Sequence, residues 1–181
     1  GTVDLYVEYS GTIWGSFMRR EGNPGRAEIT EITQTFVRER GLNPIGLAGF
    51  QNRYALAMRR ERAEELGVVS VQDLAPLASM LRAGGDLEFF GRSEWKRLQS
   101  LYDLDFAREL TFDAALMYTA VEAGQVDVIS AYSTDGRVAA YDLVLLEDPR
   151  QALLSYDAML LASSAAAQDP RFTAALAPVL G

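Results

Sequence analysis

The chain has 181 residues, 49% of them hydrophobic and 23% charged, which is enough apolar content for a packed core and too little compositional bias for disorder. Acidic residues outnumber basic ones 25 to 17, and a formal net charge of −8 repels the phosphate backbone of nucleic acids. There is no Cys and no His, so disulfides, thiolate nucleophiles, imidazole bases and the common zinc sites are excluded.

The chain opens on Gly1-Thr2-Val3-Asp4 and alternates as a strand through Val7. This abrupt start is read as the result of leader removal, and the lack of Cys suits a protein outside the cytoplasm. Ser10-Gly11-Thr12 breaks the strand, with Thr12 capping a helix that carries Trp14 and Phe17. After a loop at residues 21–25, a helix is predicted from Ala27 to Arg40. Its Ile29, Ile32, Phe36 and Val37 share one face, and Gly41 ends it. Gly46 to Gly49 reads as a crossing segment.

Tyr54 to Met58 has the continuous apolar character of a buried strand. Arg60 to Leu66 is a short helix closed by Gly67. Ser70-x-x-Asp73 is an acidic capping box that opens a helix to Arg82. Leu87 to Phe90 reads as a strand, Ser93 to Tyr102 as a helix, and Phe112 to Ala123 as a helix stopped by Gly124. Val126 to Ile129 is a strand, Thr134 to Arg137 a turn, and Leu143 to Leu146 a strand broken by Asp148-Pro149. A strand at Asp157–Leu161 and a helix at Asp169–Leu180 end the chain. The longest apolar run, Ala158 to Ala162, is too short to span a bilayer. Strands alternating with helices argue for an α/β fold, with a mixed, mostly parallel sheet flanked by helices.

Several segments carry a resemblance. Asp4-Leu5-Tyr6-Val7-Glu8-Tyr9-Ser10-Gly11-Thr12 resembles the first motif of the glycine betaine/carnitine/choline-binding proteins of osmoprotectant ABC importers. Asn52-Arg53-Tyr54-Ala55-Leu56-Ala57-Met58-Arg59 is similar to a second motif, Arg62–Gly67 with Ser70–Leu74 to a helix pair, and Glu88-Phe89-Phe90-Gly91-Arg92 to a further one. Val126 to Arg137, with its Ala131-Tyr132-Ser133-Thr134-Asp135-Gly136, is the most specific; Leu146-Glu147-Asp148 and Tyr156-Asp157-Ala158 follow in order.

The resemblance implies type II periplasmic-binding-protein lobes. Residues 1–50 and 154–181 would belong to a partial first lobe and residues 51–153 to a complete second one. The family carries further residues before the first motif and after the last helix, so the chain is read as a fragment or a minimal relative. The implied function is that of the solute-binding component of an ABC importer, outside the cytoplasm, with the importer's membrane subunits as partners. No enzymatic activity, catalytic residue, metal or cofactor is expected. Ser133-Thr134-Asp135 matches no nucleophile motif, and Gly84-Gly85 lacks the spacing of a phosphate loop.

The implied ligand is a quaternary-ammonium solute of the betaine, carnitine or choline type. A trimethylammonium group has no N–H to donate, and aromatic faces suit it because the ring quadrupole attracts the cation while the rings cover its methyls. The family's cage positions fall on Tyr9, Tyr54, Tyr132 and Tyr156, with Tyr54 and Tyr132 from one lobe and Tyr9 and Tyr156 from the other. Arg92 stands where the family places a carboxylate-binding arginine, which tilts the choice from choline toward betaine-like or carnitine-like zwitterions, glycine betaine first. Thr12 is a second candidate for that carboxylate, and Asp135 is read as holding the loop that presents Tyr132. Tyr6, Tyr102, Tyr118 and Tyr141 are read as packing residues, and Trp14 and Trp95 as core or rim. A competing reading is an isolated lobe that serves as an interaction module without ligand and forms a homodimer through its exposed surface.

Overall fold

The computed structural model describes residues 3–180. The chain divides into two compact units: one of residues up to Asn52 with those from Leu154 onward, the other Arg53–Leu153.

The first unit begins with strand β1 (Leu5–Tyr9) and a helical turn α1 (Ser10–Thr12) that runs into a π-helical turn at Ile13–Phe17. Helix α2 (Arg26–Arg38) follows, then strand β2 (Asn43–Gln51). Ile29, Thr33 and Val37 of α2 are buried at i, i+4 and i+8, the stripe a packed helix requires. The Thr33 hydroxyl donates to the Ile29 carbonyl at 2.7 Å, which satisfies it inside the core.

The second unit starts with β3 (Tyr54–Arg59), α3 (Arg60–Leu66) and α4 (Val71–Leu74). It continues through β4 (Arg82–Gly85), α5 (Leu87–Gly91), α6 (Ser93–Tyr102) and β5 (Arg108–Thr111). Helix α7 (Leu116–Glu122), β6 (Val128–Tyr132), α8 (Gly136–Ala140) and β7 (Leu143–Leu145) complete it. The chain then returns to the first unit with β8 (Asp157–Ala162), α9 (Ser164–Ala167) and α10 (Pro170–Leu176).

In the first unit β8 lies between β1 and β2 and is antiparallel to both. Every residue of β8 is buried, and Met159 and Leu161 join Ile13 and Val37 in a core beneath α2. The five-stranded sheet of the second unit runs β5-β4-β6-β3-β7. Here β4 is parallel to β5 and β6, while β3 is antiparallel to β6 and β7. The fold is therefore mixed α/β, with the parallel strand pairs of the second sheet formed by β4 and its two neighbours. Ala57, Ile129, Leu143, Tyr118 and Val121 form the core on the α7 side of this sheet.

Several local expectations are corrected. Leu87–Phe90 is a helix, because the Asp86 carboxylate accepts from the Phe89 amide and caps it. The strand there is the preceding Arg82–Gly85, which has little intrinsic strand preference and forms because two parallel neighbours hydrogen-bond it. The capping box at Ser70 and Asp73 is present, but its helix stops at Leu74. Asn43–Gln51 is a strand and not a crossing segment. Arg108–Thr111 is a strand the sequence did not suggest, and the helix expected from Phe112 starts at Leu116. Asp135 opens a helix as well as a turn. Thr12 is the N-cap residue of the π-helical turn Ile13–Phe17 but makes no side-chain cap bond, and Tyr9 precedes the shorter turn Ser10–Thr12. Tyr6 is 57% exposed and is no packing residue, unlike the buried Tyr102 and Tyr118.

Candidate ligand site

The antiparallel register of β3 and β6 sets Tyr54 directly opposite Tyr132, at the end where the two strands part. The Ser133 amide donates to the Arg53 carbonyl at 2.8 Å, and the Arg53 amide donates to the Ser133 hydroxyl at 3.1 Å, so the pair cannot splay. The two rings lie with centroids 4.7 Å apart and planes inclined at 35°. Their hydroxyls share a hydrogen bond of 2.9 Å. Tyr132 is 37% exposed, whereas Tyr54 is 3% exposed behind it.

Behind Tyr54 stands an aromatic wall. The buried Phe89 ring lies 5.1 Å from Tyr54, and Trp95 and Phe90 pack against Phe89 and each other. Gly85 makes room for this wall, because a Cβ there would meet the Phe90 ring at 2.9 Å. Burial, then the hydrogen bond to Tyr132, raises the Tyr54 phenol well above the ordinary tyrosine range. The phenol stays neutral, so it presents a ring and no anion.

Arg92 places its guanidinium carbon 5.0 Å above the Tyr54 ring. Its Nη2 pairs with Glu88 one helical turn earlier, and its Nη1 lies 3.8 Å from the buried Glu94. The loop after Tyr132 is braced by Asp135. Its amide donates to the Tyr132 carbonyl at 3.0 Å. Its carboxylate accepts from Tyr118 at 2.9 Å and from the Arg137 guanidinium at 2.7 Å. The Arg137 fork, above all, holds the Asp135 carboxyl down to about 2. Arg137 also lies 4.1 Å over the Tyr118 ring and donates to the Ala114 carbonyl, which ties the loop to the residues just before α7.

In the first unit Tyr9 ends β1 opposite Ala158 and is partly exposed, as is Thr12 one helical turn on. The buried Ser10 hydroxyl donates to the Ser155 carbonyl at 3.1 Å and accepts from the Asp157 amide at 2.9 Å. Tyr156 is buried with its ring flat against Gly11, where a Cβ would sit 2.7 Å from the ring. The Tyr156 carbonyl accepts from the Asn52 amide at 3.1 Å. The buried Asp157 is held by Arg26 at 2.7 Å.

The structure thus brings Tyr54, Tyr132 and Arg92 together in one unit, and sets Tyr9, Thr12 and Tyr156 at one end of the β1–β8 pair in the other. Phe89, Glu88 and Glu94 were not singled out from sequence. The four-residue spacing of Glu88 and Arg92 was a usable signal only if that segment is helical. Among the described residues no cluster of three or more acidic groups could hold a metal ion, and no helix is long and apolar enough to cross a membrane.

Comparison with known proteins agrees with this architecture. An ergothioneine transport permease/ergothioneine binding protein, EgtU, of Helicobacter pylori (strain G27) is 29% identical over 161 residues, covering 87% of this chain and 29% of that protein. A glycine-betaine-binding protein of Pseudomonas aeruginosa (strain PAO1) is 32% identical, covering 99% of this chain and 62% of its own length. The crystal structure of a glycine betaine/carnitine/choline ABC transporter superposes with a TM-score of 0.86 at 28% identity, covering 98% of this chain and 66% of that one. The chain therefore spans less than two thirds of the length of these curated relatives. A family model described as the substrate binding domain of ABC-type glycine betaine transport systems matches residues 1–180. The chain belongs to this family of ABC-transporter substrate-binding domains.

Proposed function

We propose that the chain is the ligand-holding part of a solute-binding protein that serves an ABC importer outside the cytoplasm, and that its ligand is a quaternary-ammonium compatible solute, glycine betaine foremost. The observation that carries this reading is the Tyr54–Tyr132 ring pair, 4.7 Å apart, with Arg92 beside it. A neutral aromatic surface suits a methylated cation, which cannot hydrogen-bond, and the adjacent guanidinium suits the carboxylate at the other end of a betaine. In this reading Tyr9 and Tyr156 of the first unit supply the remaining rings, and Thr12 is a second donor to the carboxylate. Ligand binding shifts a conformational equilibrium that the importer's membrane subunits sense.

The relatives support the ligand class. The Pseudomonas protein is named for binding glycine betaine, and the superposed transporter for glycine betaine, carnitine and choline. Arg92 favours the carboxylated members of that set over choline.

Titration calorimetry with glycine betaine, glycine and choline tests the proposal. Glycine has the carboxylate but no methyls, so glycine betaine is expected to bind at least about tenfold tighter, the equivalent of ~1.4 kcal/mol and within reach of two rings at ~0.5–2 kcal/mol each. Tyr132→Ala is expected to weaken betaine binding by about fivefold or more, and Tyr132→Phe, which keeps the ring, by much less. A folded chain that does not distinguish glycine betaine from glycine contradicts the proposal.

A further inference from the structure

Arg92 is held at both edges of its guanidinium, and the two partners differ. Glu94 is buried within the first turn of α6, where Ser93 also hydrogen-bonds it at 3.3 Å. It lies 3.8 Å from Nη1, an ion pair beyond hydrogen-bond range on the inner side of the fork. Glu88 lies on α5, four residues before Arg92, with a side chain 65% exposed, and it pairs with Nη2. An exposed i, i+4 pair is weak, because water competes for both charges and two long side chains must be ordered to make it.

The same guanidinium stands over the Tyr54 ring. Arg92 and Glu88 together therefore set a cation against an aromatic face and a carboxylate next to that cation. This is the charge pattern of a zwitterionic betaine, built from the protein's own side chains.

We infer that Glu88 is a built-in competitor for the Arg92 fork and sets the preference between carboxylated and uncarboxylated quaternary-ammonium ligands. The inference rests on the assignment of Arg92 to a ligand carboxylate. A carboxylate approaching Arg92 has to take the outer edge that Glu88 holds, because the buried Glu94 retains the inner one. Glu88 then swings into solvent, where its exposure allows it to go. Choline has no carboxylate, so it gains nothing from releasing Glu88.

The test is Glu88→Gln in the full chain, titrated with glycine betaine and with choline by calorimetry, alongside the wild type. Glutamine keeps size and helix preference at an exposed position, and an unchanged thermal melt verifies the fold. Glycine betaine is expected to bind about two- to fivefold tighter to the variant, the range spanned by measured exposed ion pairs, and choline affinity is expected to stay within about 1.5-fold. An unchanged or weaker affinity for glycine betaine overturns the inference. Parallel weakening for both ligands overturns it in a specific way, because Glu88 then attracts the ligand's cation. If the wild type binds neither ligand, the reading of the site fails and takes this inference with it. If the wild type binds glycine betaine and the variant shows the same ratio of affinities, only the inference fails.

Discussion

The Asp135 carboxylate accepts from the Tyr118 hydroxyl, from the Arg137 guanidinium and from the Arg137 amide, and so carries the loop behind Tyr132. Each of these bonds favours the charged form, the Arg137 side chain most, and together they move the group from 3.8 to about 2. The sign of the pH effect follows. An unfolded aspartate near 3.8 binds a proton before the folded one does, so the stabilisation is present above that value and is lost as pH falls from about 4 to about 2. A shift of this size at a side chain only 14% exposed corresponds to about 2 kcal/mol. Asp135→Asn is therefore expected to be less stable than wild type by about 2 kcal/mol at neutral pH and nearly equal to it near pH 2. Denaturant melts at the two pH values measure this, and a deficit that does not change with pH argues against the assignment. In sequence, Asp135 read first as a turn residue. Its two partner residues come from α7 and from the start of α8, and only Arg137 is local.

At the level of elements, the close approach of Tyr156 to Gly11 fixes how the turn after β1 meets the start of β8. Gly11 is needed here for lack of a side chain and not for backbone freedom, because the ring occupies the place of a Cβ at 2.7 Å. Gly11→Ala is expected to displace the ring and cost about 1–3 kcal/mol, read as a Tm drop of about 3–10 °C. Gly15→Ala is the control, since its Cβ would meet nothing nearer than Leu154 at 4.0 Å. If the two substitutions cost the same, the packing account of Gly11 is wrong.

The same scale separates what sequence could and could not tell. Helices α2, α3 and α6 and strands β3 and β8 were readable because a cap, a glycine stop or a continuous apolar run marks each locally. Strand β4, Arg-Ala-Gly-Gly, carries no such mark and exists through pairing with β5 and β6, which are distant in sequence. Leu87-Glu88-Phe89-Phe90 misled because its alternation looked strand-like. In the helix Leu87 faces solvent and Phe89 is buried, a distinction a five-residue segment is too short to show. The site was partly legible for the same reason. The resemblance singled out Tyr54, Tyr132 and Arg92, whereas Phe89 and Glu88 stayed hidden inside the misread segment.

For the whole molecule, the chain leaves one compact unit after Asn52 and re-enters it at Leu154, so residues 53–153 are continuous and have their own core. The proposed ligand set divides along the same line, with Tyr54, Tyr132 and Arg92 in that segment and Tyr9, Thr12 and Tyr156 outside it. Two rings at ~0.5–2 kcal/mol each supply at most ~4 kcal/mol, the equivalent of millimolar binding, before the proposed Arg92–carboxylate contact is added. The isolated segment 53–153 is expected to fold and, where Tyr9, Thr12 and Tyr156 take part as proposed, to bind glycine betaine more weakly than the full chain does. At about one hundred times the dissociation constant, the ligand stabilises a folded protein by ~2.7 kcal/mol, which for a chain of this size raises Tm by about 5–10 °C. Thermal melts of both proteins over the same ligand range decide the matter. A folded segment 53–153 that matches the full chain in shift and affinity removes Tyr9, Thr12 and Tyr156 from the site, and leaves the Tyr54–Tyr132 pair with Arg92 as the whole of it.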